Sequence, residues 1–129
     1  MSKVRCFISF DYDHDSSQKE LLIGQSKNED SPFEISDYSI KEASSNWEQE
    51  ARERIRRSSV VIVLCGKHTH TATGVAKELR IAQEIGVNYL LLNAYGTDSN
   101  VTKPTSAKQT DKIYNWTWDN LKALIHGGR

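Results

Sequence analysis

SVVIVLCG, residues 59 to 66, is the stretch that decides the fold. From Val60 to Cys65 every residue is apolar, and four of the six are β-branched. A strand with one wet face alternates apolar and polar side chains, whereas a strand covered on both faces has no reason to alternate. This run therefore reads as a central strand of a parallel sheet with helices on either side. NYLLLNAY (88 to 95) carries the same unalternating core, and VRCFISF (4 to 10) and PFEISDYSI (32 to 40) are further short, β-rich runs. Helical patterns lie between them, which gives a βαβ rhythm, and KIYNW (112 to 116) supplies a fifth, weaker strand.

The intervening helices carry their own signals. The first, near Ser16 to Gln25, follows Asp15 as an expected N-cap. Ser45 and Glu48 form an S-x-x-E box at the start of the second, ahead of Trp47, Ala51 and Ile55 at four-residue spacing. Glu48 with Arg52, Glu50 with Arg54, and Glu53 with Arg57 are i,i+4 pairs in the favourable order, each contributing about 0.2 to 0.5 kcal/mol. RERIRR thus reads as a solvated helix face rather than a basic patch. The last helix, near Trp118 to His126, turns Trp118, Leu121, Leu124 and Ile125 inward before Gly127 stops it. GTDSNVTKPTSAKQTD (96 to 111) is polar and aperiodic, so it is expected to be the least ordered part of the domain, or a functional loop.

Composition limits the partners. The 129 residues fit a single domain spanning 1 to 129, and 17 basic residues balance 17 acidic ones, so no global field favours nucleic acid or anionic lipid. No stretch approaches the ~20 apolar residues of a membrane span, and MSKVRCFISF lacks a signal-peptide core, which points to a soluble, cytoplasmic protein with no membrane partner. Cys6 and Cys65 stand in separate apolar runs without a CxxC spacing and read as buried, reduced thiols. Trp47, Trp116 and Trp118 read as core.

GVAKELRIAQEIG (74 to 86) contains one residue out of place. At about 100° per residue, Val75, Leu79, Ala82 and Ile85 share an arc, Lys77, Arg80 and Glu84 lie opposite, and Glu78 falls inside the apolar arc. A capping box needs Ser or Thr three residues earlier, and Val75 stands there, which leaves the helix dipole or a pocket to account for the acid.

Ligands of open parallel sheets bind beyond the carboxyl ends of the strands. That rule selects Phe10, Asp11, Tyr12, Asp13, His14 and Asp15 after the first strand, Ser36 to Ser39 or just beyond after the second, with Asp37 and Tyr38 the candidates there, Gly66, Lys67, His68 and Thr69 after the third, and then Glu78. FDYDHD contains no glycine, which disfavours a dinucleotide-fold or P-loop phosphate turn, and Cys65 stands where a phospho-accepting receiver needs an aspartate. Asp11, Asp13 and Asp15 alternate like the start of an EF-hand but lack its glycine and closing glutamate, so they read as turn and cap residues, with Asp11 the one that faces the pocket. His14, His68 and His70 lack tight metal-ligand spacing and read as solvated, so no metal is expected.

FISFDYDHD, SDYSI, SSVVIVLCGKHT, GVAKELRIAQEIG and NYLLLNAYG, in this order and spacing, resemble the bacterial TIR-like domains of the Thoeris antiphage defence type over roughly residues 3 to 96, and YNWTWDNL resembles their closing helix. The resemblance implies a three-layer, doubly wound, flavodoxin-like α/β fold with about five parallel strands in the order 2-1-3-4-5. It also implies a NAD-processing enzyme that breaks the nicotinamide glycosidic bond and releases an ADP-ribose-derived, cyclised signal for a downstream effector protein. NAD is then the substrate and no cofactor is expected. By position the catalytic acid is Glu78. Phe10 and Tyr12 would stack on a ring, Lys67 meet phosphate and Thr69 bond the sugar. Gly74 stands where many relatives carry an aromatic, which leaves more room and removes a stacking surface. Active sites of this family are often completed by a neighbouring copy, so a homo-oligomer through TIR–TIR contacts is expected. The competing reading is a non-enzymatic adaptor that acts through association alone.

Overall fold

In the computed structural model, which describes residues 3–40 and 45–127, Val60–Cys65 is the middle strand of five and is buried at every position. The elements follow one another as β1 (Val4–Ser9), α1 (Ser16–Ser26), β2 (Phe33–Tyr38), α2 (Trp47–Arg56), β3 (Val60–Cys65), α3 (Thr73–Ile85), β4 (Asn88–Asn93), β5 (Ile113–Tyr114) and α4 (Trp118–Ile125). A single 3-10 turn, Thr69–Thr71, precedes α3. All four strand pairings are parallel and the order is β2-β1-β3-β4-β5, the flavodoxin-like arrangement that the sequence suggested.

Successive side chains of a strand point to opposite faces, and the sheet uses this to build two apolar layers. Cys6, Ile8, Ile62, Leu64, Leu90 and Leu92 face α1 and α4, where Leu22, Leu121, Leu124 and Ile125 meet them. Phe7, Val61, Val63, Cys65 and Leu91 face α2 and α3, which contribute Trp47, Ala51, Ile55, Val75, Leu79 and Ala82. Both cysteines are free and buried, one in each layer.

β2 departs from a plain ladder. Cys6 pairs with Ile35 and Phe7 with Asp37, so Ser36 is an extra residue. Its hydroxyl donates to the Cys6 carbonyl (3.1 Å) and lies 2.6 Å from the Ser58 hydroxyl, which holds the bulge. An inserted residue reverses which face each later side chain takes. Asp37 accordingly reaches Arg54 of α2 (3.2 Å), while Tyr38 turns to the other side and lies under the Lys19 ammonium of α1 (4.6 Å to the ring centroid).

Several local expectations are corrected. α2 is capped at Asn46, with no side-chain cap bond, so the Ser45–Glu48 box does not form. The three i,i+4 pairs give way to Arg52–Glu84 (2.8 Å), Arg54–Asp37 and Arg56–Glu53 (2.7 Å), because α2 packs close enough to α3 and β2 for two of its arginines to find partners there. Asp15 occupies the N-cap position of α1 but makes no cap bond; its Oδ1 accepts from the Tyr95 hydroxyl (2.6 Å). Residues 96 to 111 reach back to the body of the fold at three points: the Thr102 amide donates to the Gly66 carbonyl (2.9 Å), the Ser106 hydroxyl to the Ala76 carbonyl (2.6 Å), and Pro104 is buried. Among the described residues no helix is long and apolar enough to cross a membrane.

Candidate active site

The carboxyl ends of β1 and β2 and the start of α3 enclose a cleft of about 420 Å³. Phe10, Asp11, Tyr12, Asp13 and His14 form one wall, Ser39, Ile40 and Trp47 a second, and Thr71 to Val75 a third, with Glu78 among the lining residues. The volume lies within the range of small-molecule sites. Among the described residues, neither lysine nor arginine lines it, while Asp11, Asp13 and Glu78 do.

Glu78 is on the first turns of α3, in phase with Val75 and Leu79, and this phase carries it under the cleft. It is 1% exposed. Its Oε1 accepts from the Ser9 hydroxyl at 2.7 Å and from the Ser39 hydroxyl at 2.6 Å, both from buried serines. Two O–H donors thus meet on one oxygen of the carboxyl group. Ser9 is in phase with Phe7, on the face towards α3. The Ser36 bulge explains Ser39: in the plain register residue 39 would lie opposite Phe10, on the α1 side, and the extra residue moves it beside Ser9. The Phe10 amide donates to the Ser39 hydroxyl oxygen (3.1 Å) and the Ser39 amide to the Ile8 carbonyl (2.9 Å).

The wall after β1 is a tight turn. Asp11 Oδ1 accepts from the Asp13 amide (3.1 Å), Oδ2 lies 2.7 Å from Nδ1 of His14, and the His14 ring stacks on His68 at 4.0 Å between centroids. Phe10 and Tyr12 lie near-parallel with centroids 6.2 Å apart, Phe10 buried and Tyr12 at the mouth. Asp15, behind this turn, sits over Gly66 so closely that a Cβ there would be 2.6 Å from a carboxylate oxygen, and burial pushes its pKa upward.

Of the residues singled out from the sequence, the structure brings Phe10, Asp11, Tyr12 and Glu78 together around the cleft. His68 reaches it only through His14. Lys67 is exposed and does not line it. Thr69 is fully buried, its hydroxyl occupied by the Gly66 amide (2.7 Å), and Asp37 and Tyr38 are engaged by Arg54 and Lys19. Lys77 and Arg80, with His70, line an adjoining cavity of about 380 Å³ that shares Thr71, Ala72 and Thr73 with the cleft. Ser9 and Trp47 were not foreseen as site residues, while His14 and Ser39 stood among the edge residues with no role given to them. Ser9 was legible from strand phase; the turn of Ser39 towards Glu78 was not, since no sequence signal announces the bulge.

A flavodoxin-like sheet with a buried glutamate at the start of the helix after β3, opening on a cleft at the carboxyl edge, has the architecture of a TIR-type domain. Residues 7–99 match the family model of the Thoeris protein ThsB TIR-like domain, and the chain belongs to that family. Membership gives it a role in antiphage defence. No curated protein matches the chain.

Proposed function

We propose that the protein cleaves the bond between nicotinamide and ribose in NAD and releases an ADP-ribose-derived, cyclised product as a defence signal to an effector. The observation that carries this reading is the acidity of the cleft: a buried glutamate with Asp11 and Asp13, and, among the described residues, no lysine or arginine in the lining. Such a site suits the cationic pyridinium end of the dinucleotide. As the C1′–N bond breaks, its electron pair leaves with nicotinamide, which becomes neutral and needs no proton. Positive charge develops on the ribose, where the Glu78 carboxylate stabilises it. In place of water, a hydroxyl of the same ADP-ribose then adds to C1′ and gives its proton to solvent, or an adenine ring nitrogen adds through its lone pair and the exocyclic amine gives up the proton. The near-parallel rings of Phe10 and Tyr12 and the cations Lys77 and Arg80 of the adjoining cavity support this reading, the rings as a surface for an aromatic base and the cations as partners for a pyrophosphate.

The test is release of free nicotinamide from NAD by the purified protein. Glu78→Gln keeps the volume and removes the charge. It should lower the rate several hundredfold, equivalent to ~3 to 4 kcal/mol, by analogy with loss of one electrostatic catalytic group. Glu84, paired with Arg52 on the outer face of α3, is the control, and its Gln variant should keep the parental rate. Equal rates in Glu78→Gln and parent would remove Glu78 from the chemistry. A parent that releases no nicotinamide at any concentration would leave an association module in place of an enzyme.

A further inference from the structure

We infer that Ser9 and Ser39 are positioning residues that lock the Glu78 carboxylate in one orientation for the reaction. The inference rests on Glu78 as the acting carboxylate.

The argument begins with the single proton of each hydroxyl. Ser39 Oγ accepts from the Phe10 amide, so its own proton can go to the Ile8 carbonyl at 3.4 Å or to Glu78 Oε1 at 2.6 Å. The shorter bond, to a charged acceptor, is much the stronger. Ser9 supplies the second donor at 2.7 Å. The terminal torsion of a glutamate is ordinarily broad, which would let the carboxylate plane swing. Here two hydroxyls, one on β1 and one just past β2, converge on the same oxygen, and the plane cannot turn without breaking both bonds.

Neither serine is free to follow such a turn. Ser39 is tied to β1 through its backbone amide and through its side-chain oxygen, and Ser9 is the last residue of β1, adjoining β3. The sheet edge thus sets the carboxylate geometry before any ligand arrives. A pre-set electrostatic group needs no reorganisation at the moment of reaction, so the benefit belongs to turnover more than to binding.

Two readouts test the clamp, one of which needs no activity. In protein labelled with 13C at glutamate side chains, at pH 7, the Glu78 carboxyl resonance is identified by its loss in Glu78→Gln. It should shift in Ser39→Ala and in Ser9→Ala and return to the parental position in Ser39→Thr, which keeps the hydroxyl. In turnover, Ser39→Ala should lower kcat for nicotinamide release about tenfold with KM within about twofold, and Ser39→Thr should recover most of the loss. If Ser39→Ala does not fold, Ser39→Cys, a weaker donor of similar shape, replaces it. An unmoved resonance, or a parental kcat in Ser39→Ala, overturns the clamp. A moved resonance in a protein whose parent releases no nicotinamide supports the clamp and overturns the catalytic reading of Glu78.

Discussion

Asp15 is held where a carboxylate is poorly solvated: it is 1% exposed, Oδ1 has the Tyr95 hydroxyl, and among the described residues Oδ2 has no hydrogen-bond partner. Burial dominates and raises its pKa above 3.8, Asp11 adds to the rise, and Tyr95, His14 and His68 oppose it. A raised folded-state pKa means that the folded chain binds the proton more tightly than the unfolded chain. The stabilisation is therefore fully present below the unfolded value and is lost as pH climbs from there through the folded value. Asp15→Asn has no such proton, so urea unfolding of both proteins should show the parent losing ground to the variant between pH 4 and pH 7. A gap that stays constant, or moves in favour of the parent with rising pH, would mean that the carboxylate is held charged. At this scale the sequence was informative where a residue breaks a periodic pattern, as Glu78 does on α3, and where strand phase carries over, as for Ser9. It was misleading where a residue type has a stock local role: Asp15 before a helix suggested a cap, yet its side chain turns to a tyrosine eighty residues away.

The elements themselves are the most legible part of the chain, since all five strands and all four helices fall within a residue or two of where hydrophobic period and turn residues put them. What escaped is how elements meet. The box at Ser45 and the i,i+4 pairs of α2 were inferred as if the helix stood alone, whereas Arg52 and Arg54 are drawn to Glu84 on α3 and Asp37 on β2. The Ser36 bulge belongs here too, because its cause is a pair of serine hydroxyl bonds to other strands and loops. The end of α3 is an instance where local chemistry suffices. Gly86 has φ 78°, and both its amide and that of Val87 donate to the Ala82 carbonyl. A Cβ at Gly86 would meet nothing within 4 Å, so Gly86→Ala isolates the conformational penalty from any clash. It should cost about 1 to 2 kcal/mol and lower Tm by about 3 to 8 °C. A thermally silent Gly86→Ala would show that the left-handed turn is not needed to end the helix.

At the scale of the molecule, the edge that carries the cleft could be anticipated from the parallel sheet, and the strand order from the family resemblance. The course of residues 96 to 111 could not, since it depends on contacts as distant as Thr102 on Gly66 and Ser106 on Ala76. The two-layer core raises a question about cooperativity that the cysteines can answer. Cys6 lies in the layer under α1 and α4, Cys65 in the layer under α2 and α3, and burial pushes both thiols up to about 12. A thiol-reactive reagent needs an accessible thiolate, so each cysteine labels only when its own layer opens. The layers are not independent, however: β1, β3 and β4 each send alternate residues into both, so stripping one layer exposes the backs of strands that hold the other. Such a core should open as one unit. With opening fast relative to labelling, Cys6 and Cys65 should then be protected to the same degree, within about threefold, and both should respond to low urea with the full slope of global unfolding. The comparison is read on Cys6→Ala and Cys65→Ala variants, each reporting one layer. Labelling of Cys6 tens of times faster than Cys65, with little dependence on urea, would instead show that α1 and α4 peel away while the layer that holds Glu78 stays closed.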